Sequence, residues 1–223
     1  MSPLLIFGAS RGVGLELARL ARAEGGPVAA LLRTQSDASA LETMGVTVVR
    51  GDALDPADVA RAFTAVPMGA VVVSTLSGRA PDGRFVDEVG NVNAVEAALT
   101  NAASRLVLVT SIGCGEMAPY RSEQAKAAFG ATVDAKTRAE DHLRATHLAW
   151  TIVRPGGLRT GPATGRGILS TDPQMHGYIH RADVALLVGR VLRDPGTIGR
   201  ALAAVDAEEA RSVNPILPFP LAA

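Results

Sequence analysis

Residues 4–7, Leu4-Leu5-Ile6-Phe7, run directly into Gly8-Ala9-Ser10-Arg11-Gly12-Val13-Gly14 and then into a helical pattern. This stretch constrains the fold more than any other. A buried apolar strand, a turn with glycines at three fixed places and a helix that opens toward the turn together frame a dinucleotide site. Each glycine has a physical task. Gly8 permits the tight turn out of the strand. Gly12, lacking a Cβ, lets the backbone approach a phosphate. Gly14 lets the first helix pack on the sheet. The spacing is G-x-x-x-G-x-G rather than G-x-G-x-x-G, and the alternative is a glycine-rich turn that binds nothing.

The rest of the chain alternates short apolar runs with longer amphipathic segments. Strands are expected at Val28–Leu32, Val46–Val49, Ala70–Val73, Leu106–Val109, Trp150–Val153 and Ala201–Val205. Helices are expected over Ser36–Met44, from Asp55 (N-cap, with Pro56 at the first helical position) to about Thr64, and over Arg84–Asn101, Ala135–Thr146 and Ala182–Leu192. Nearly continuous apolar strands separated by helices predict a doubly wound parallel sheet, an α/β Rossmann-type fold, as one domain over residues 1–223. Two glycine- and proline-rich regions, 112–131 and 155–177, follow strands at the ligand-binding side and are expected to form substrate-side loops. The tail 213–223, with three prolines, reads as an extended segment that packs back, joins a dimer contact or stays disordered.

The 223 residues are 48% hydrophobic and 20% charged, an ordinary globular composition. Lys plus Arg and Asp plus Glu are 22 each, so nothing points to nucleic acid as a main partner. No apolar run approaches the ~20 residues of a membrane span. No signal peptide is read, and the single cysteine, Cys114, cannot form an internal disulfide, so a cytoplasmic protein is expected, monomeric or homodimeric, acting on a small molecule. The four histidines show no metal spacing, and no metal is expected.

The adenosine end of the site can be placed by charge. NAD sites usually carry an acidic residue at the end of strand 2. Here Arg33-Thr34 stands there, and Arg11 lies inside the glycine turn. Both guanidinium groups suit a 2′-phosphate, which favours NADP(H) over NAD(H). The alternative for Arg33 is a solvated loop arginine. Asp52 reads either as an acceptor for the adenine amino group or as a turn aspartate bonding its own backbone. Ser74, Thr75 and Leu76 follow strand 4, beside the expected ribose and pyrophosphate. Ser10, Val13 and Ala53, in the same turns, complete the cofactor-side set.

At the other end, Ser111 closes strand 5, where a hydroxyl can polarise a substrate carbonyl or cap a turn. Lys136 reads as a ligand of the nicotinamide ribose or as a surface lysine. Pro155 and Gly156 are expected to line the nicotinamide pocket, and Tyr120 to swing into the site. His176 and His180 touch substrate or belong to a loop and helix start. Cys114 is a redox-sensitive thiol if exposed, a buried filler otherwise.

The stretches GASRGVG (8–14), LLR (31–33), VVRGDALDPADV (48–59), VLVTSIG (107–113), AKTRAEDHLR (135–144), WTIVRPGGL (150–158) and HRADVALLV (180–188) span nearly the whole chain. In their order and spacing it resembles an atypical short-chain dehydrogenase/reductase, in the NAD(P)H-binding branch that includes NmrA-like proteins and the flavin/biliverdin reductases. The resemblance implies a Rossmann fold, NADP(H), and an active site near Ser111 and Lys136. One departure matters: the main branch places a tyrosine four residues before the lysine, and here that residue is Thr132, whose hydroxyl has no accessible pKa for acid–base work. The expected activity is hydride transfer from NADPH to a small carbonyl, quinone or flavin-like acceptor, with the proton from water or Ser111. The alternatives are a non-catalytic NADP(H)-binding sensor or scaffold, which the missing tyrosine favours, and a sugar-nucleotide epimerase or dehydratase.

Overall fold

A computed structural model describes residues 2–222. The apolar runs become strands because most are buried on both faces and can satisfy their backbone only in a ladder; the edge strand β3 is partly exposed. These are β1 (Leu4–Phe7), β2 (Val28–Leu32), β3 (Thr47–Arg50), β4 (Val71–Ser74), β5 (Arg105–Val109), β6 (Trp150–Pro155) and, late in the chain, β10 (Arg200–Asp206). All seven run parallel, and β8 (Gly167–Ser170) adds an antiparallel edge strand on β10. The order is β3-β2-β1-β4-β5-β6-β10-β8. The strand order therefore reverses between β1 and β4, the place where an open α/β sheet leaves a crevice at its carboxyl edge.

Helices cover both faces. Leu17 of α1 (Gly12–Ala23), Leu41 of α2 (Ser39–Thr43) and Val188 of α6 (Arg181–Arg193) belong to one core layer. Val59 of α3 (Pro56–Ala62), Val95 of α4 (Val89–Thr100) and Leu143 of α5 (Glu123–Arg144) belong to the other. The Asp55 carboxylate caps α3 by accepting from Ala57 N–H at 2.9 Å, with Pro56 at its first position.

The expected Rossmann-type doubly wound sheet is borne out, with β8 as one antiparallel strand at its edge. Three expectations are corrected. The helix expected from Arg84 begins only at Val89. Asp87 is drawn out of the helical pattern to accept from Ser77 Oγ and Gly78 N–H, and Arg79 lies over the Phe85 ring. The helix expected from Ala135 begins at Glu123, so 112–131 is a loop only to Ser122, whose hydroxyl caps α5. Gly130 does not break it. A helical glycine costs only about 1 kcal/mol against alanine, and Ala125, Ala127, Ala128 and Ala131 surround it. Region 155–177 is likewise structured: besides β8 it holds β7 (Gly157–Arg159), which pairs in parallel with β9 (Tyr178–His180). The tail packs back: Phe219 N–H donates to Leu169 O at 2.7 Å, and Ala222 N–H to Asp194 Oδ2 at 2.8 Å.

A Cβ on Gly14 would collide with the Gly8 carbonyl and lie 2.7 Å from Thr75 Oγ1. Gly14→Val is therefore expected to lose at least about 1–3 kcal/mol of stability, read as a lower urea midpoint.

Candidate functional site

The glycine turn sits at the β1/β4 crevice. Gly8 has φ +87°, a region that L side chains rarely enter. Thr75, one residue past β4, locks the turn: its N–H donates to Phe7 O at 2.9 Å and its hydroxyl reaches Gly8 O at 3.1 Å. Gly12 (φ +64°) is different. A Cβ there would meet only the Arg181 side chain, at 3.6 Å, so backbone at this point is open to a ligand. Arg11 precedes α1 in extended conformation, and its side chain makes no capping bond. The first amides of α1 thus lack a side-chain acceptor, which suits an anion. Ser10 and Arg11 are exposed, while Val13 is buried in the core.

Arg33 is exposed just beyond β2 and, like Arg11, forms no ion pair among the described residues. Its turn is braced by Arg50, which donates to Arg33 O at 3.1 Å and Ser36 O at 2.7 Å. Sequence reading missed Arg50; its place at the carboxyl end of β3 was the available signal. Asp52 takes the turn geometry: its Oδ1 accepts from Leu54 N–H at 2.9 Å. Ala53 is buried, and its carbonyl accepts from Asn93 Nδ2 at 2.9 Å. Ser74 is buried and donates to Asn91 Oδ1 at 2.5 Å, so its hydroxyl serves α4. Leu76 packs against the core near Gly90.

Lys136 is buried rather than solvated. Its Nζ lies 2.5 Å from Asp87 Oδ1 and 3.4 Å from Ser77 Oγ. Asp87 is fully buried and was missed, because it was read as part of a continuous amphipathic helix. Ser111 is half-buried at the end of β5, 3.7 Å from Cys114 Sγ. It makes no bond to Lys136 in this arrangement. Cys114 is fully buried; burial pushes its thiol up, and the Glu140 charge adds to the effect. It is a filler, not an activated thiol. Tyr120 is 44% exposed at the end of the 3-10 turn Gly115–Tyr120.

Under Ser111 lies a buried ionic cluster. Arg154 donates to Glu140 through Nε (3.1 Å) and Nη2 (2.5 Å), and to Glu116 at 3.0 Å. Thr110, next to Ser111, donates to Glu140 Oε1 at 2.6 Å. Burial opposes the charge on Arg154, but the bonds and charges of Glu140 and Glu116 outweigh it and raise its pKa. The cluster fixes the backbone from which Ser111 projects.

Pro155 is buried, and Gly156 is closed off by the backbone of Gly177, just before β9. A Cβ on Gly156 would strike Gly177 O, and one on Gly157 would lie 2.5 Å from the Tyr178 ring. The glycine pair is thus spent on strand packing. The strap between β7 and β8 is pinned from below. Asp183 accepts from Thr164 and Gly165 N–H groups, each at 2.8 Å, and Asp206 accepts from Thr164 Oγ1 at 2.8 Å and Arg166 Nε at 3.0 Å. His180 Nδ1 must donate to Pro162 O (2.7 Å), since a carbonyl only accepts. His176 pairs with Arg211 through backbone alone.

Residues 8–195 match the family model described as NAD(P)H-binding. The chain belongs to the NAD(P)H-binding family. It is similar to ChuY of Escherichia coli O157:H7, described as an anaerobillin reductase. The two are 36% identical, the match covers 96% of this chain and 100% of that one, and the TM-score is 0.86. It is also 29% identical over 177 residues to the uncharacterized sugar epimerase YhfK of Bacillus subtilis, covering 78% of this chain and 79% of the relative. A short-chain dehydrogenase/reductase from Veillonella parvula in complex with NADP shares the fold, at 17% identity, 96% and 99% coverage and a TM-score of 0.73. The resemblance read from the sequence is borne out at this level. Among the described residues, no helix is long and apolar enough to cross a membrane.

Two outcomes are expected. Glu140→Ala removes the buried partner of Arg154, leaving only the half-exposed Glu116 to face its charge, and lowers stability by about 3 kcal/mol in urea unfolding, whereas Glu140→Leu combined with Arg154→Met recovers much of the loss. For Asp206, burial pushes the carboxyl up, but hydrogen bonds from Arg166, Glu208 N–H and Thr164 outweigh it and hold it below the ordinary 3.8. The folded value lies below the unfolded one, so this stabilisation is full above the ordinary value and is lost as pH falls through the folded value. The drop in urea midpoint from about pH 6 to about pH 3 is expected to be smaller in Asp206→Asn.

Proposed function

We propose that this chain is an NADPH-dependent reductase of a planar or carbonyl-bearing acceptor. The observation that carries the reductase reading is full-length similarity, at 36% identity, to a protein described as an anaerobillin reductase. Anaerobillin is therefore the first acceptor to test, ahead of biliverdin, flavins, quinones and simple carbonyls.

The residues divide the work by position. The open backbone at Gly12 and the amides opening α1 suit the diphosphate. Arg33 and Arg11, free of ion pairs among the described residues, suit the 2′-phosphate that distinguishes NADP(H). Lys136 is held by Asp87 so that its ammonium is presented in one place, toward the ribose next to the reacting ring. When bound, NADPH supplies the hydride. Ser111, at the carboxyl edge of β5, donates a hydrogen bond to the acceptor and orients the water that supplies the proton. With Thr132 where a tyrosine would stand, no phenol is available for that step, which suits a conjugated acceptor better than a simple alcohol–ketone pair. Apolar walls are at hand: Tyr120 and Tyr178, both about half exposed, each lie three residues past a methionine of the Met117–Met175 cluster. The missing tyrosine also favours the second reading, a chain that binds NADP(H) without turnover.

The test mixes the purified chain with NADPH or NADH and each acceptor and follows nicotinamide absorbance. Acceptor-dependent NADPH oxidation is expected. Ser111→Ala lowers kcat by about a hundredfold, and Arg33→Ala raises KM for NADPH by about tenfold with little effect on NADH. Binding without oxidation across the panel moves the assignment to the sensor. Absence of binding overturns both.

A further inference from the structure

The glycine turn accounts for one side of a bound diphosphate. The other side is formed from the far end of the chain. Arg181 opens α6, whose helix packs along α1 with Leu20 against Gly189. The Arg181 Cδ and Nε lie 3.6 Å from the point where Gly12 would carry a Cβ, so this side chain is what closes over the open backbone. Its charge has no carboxylate within ion-pair reach among the described residues, unlike Arg159, Arg166 and Arg193, which pair with Glu209, Asp206 and Glu24. Its Nη1 instead donates to two exposed neutral acceptors, Leu158 O of β7 at 3.3 Å and Thr160 Oγ1, where the strap begins, at 3.0 Å. These are weak bonds for a guanidinium, which forms its strong ones with anions.

We propose that Arg181 is a ligand of the cofactor's diphosphate, closing on it from the α6 side opposite the α1 amides. The inference rests on the NADP(H) reading above. It adds a cationic group that lies outside the glycine motif and far from it in sequence. Because the same guanidinium holds Leu158 and Thr160, the diphosphate and the strap share one anchor, and cofactor occupancy is felt at the substrate side.

Calorimetric titration tests this with three ligands: NADPH, 2′-phospho-ADP-ribose, which keeps the diphosphate, and adenosine 2′-monophosphate, which lacks it. Arg181→Gln is expected to weaken the first two by about ten- to hundredfold and to leave the third unchanged. Arg181→Lys restores part of the loss. Thr160→Val removes the strap contact but keeps the guanidinium, and it binds NADPH as the natural chain does. The proposal fails if Arg181→Gln binds NADPH normally, if all three ligands weaken alike, or if Thr160→Val weakens NADPH as much as Arg181→Gln. A natural chain that binds no NADPH overturns the cofactor reading itself, so the two failures are distinct.

Discussion

The clearance between Gly14 and the Gly8 carbonyl governs everything that follows. Without a Cβ at residue 14, α1 can start hard against the end of β1. Thr75 then bonds across to Phe7 and Gly8 and joins β4 to the same turn, so the point where the strand order reverses is bonded across. Seated this deeply, α1 offers its flank to α6, and the first turn of α6 arrives over Gly12. Position of the glycine turn, position of the helix beside it and position of Arg181 are one geometric fact.

The site's second frame is ionic and buried. Lys136 with Asp87, and Arg154 with Glu140, place four charged groups where water is nearly excluded. Such pairs gain little net stability, since desolvation offsets most of their attraction. Their effect is positional. Each charge has few places to go, and each is bonded by neighbours that also hold backbone: Gly78 through Asp87, and Thr110 through Glu140. The ends of β4 and β5, where Ser77 and Ser111 stand, are held in fixed relation by these bonds. The strap is held likewise, by the buried carboxylates of Asp183 and Asp206, which accept from its Thr164, Gly165 and Arg166.

What was legible in the sequence was local. The strands show as apolar runs because burial on both faces leaves no room for polar residues, and the glycine turn shows because its backbone needs specific residues at specific places. The cap Asp55-Pro56 is of the same kind. What was hidden was non-local or competing. Asp87 sits at acceptable helical spacing and leaves the helix only because Ser77 and Gly78, ten and nine residues earlier, use its carboxylate. Gly130 looked like a breaker because propensity was weighed without its alanine neighbours. The close approach of Gly156 to Gly177, twenty-one residues later in the chain, was likewise not readable. Ser74 and Lys136 were placed on the right elements, but their partners lie on α4 and on the segment before it.

The tail has a consequence for association. β8 is the last strand of the sheet, and an unpaired strand at a sheet's margin invites a neighbouring molecule to continue the ladder. Phe219 fills that position by bonding to Leu169, and it packs, with Leu221, against the core beneath. Prolines at 215, 218 and 220 cannot donate, so the segment covers the margin without itself becoming a template for the next strand. The molecule is thereby sealed on this side by its own chain, and growth of the sheet would first have to peel that seal away.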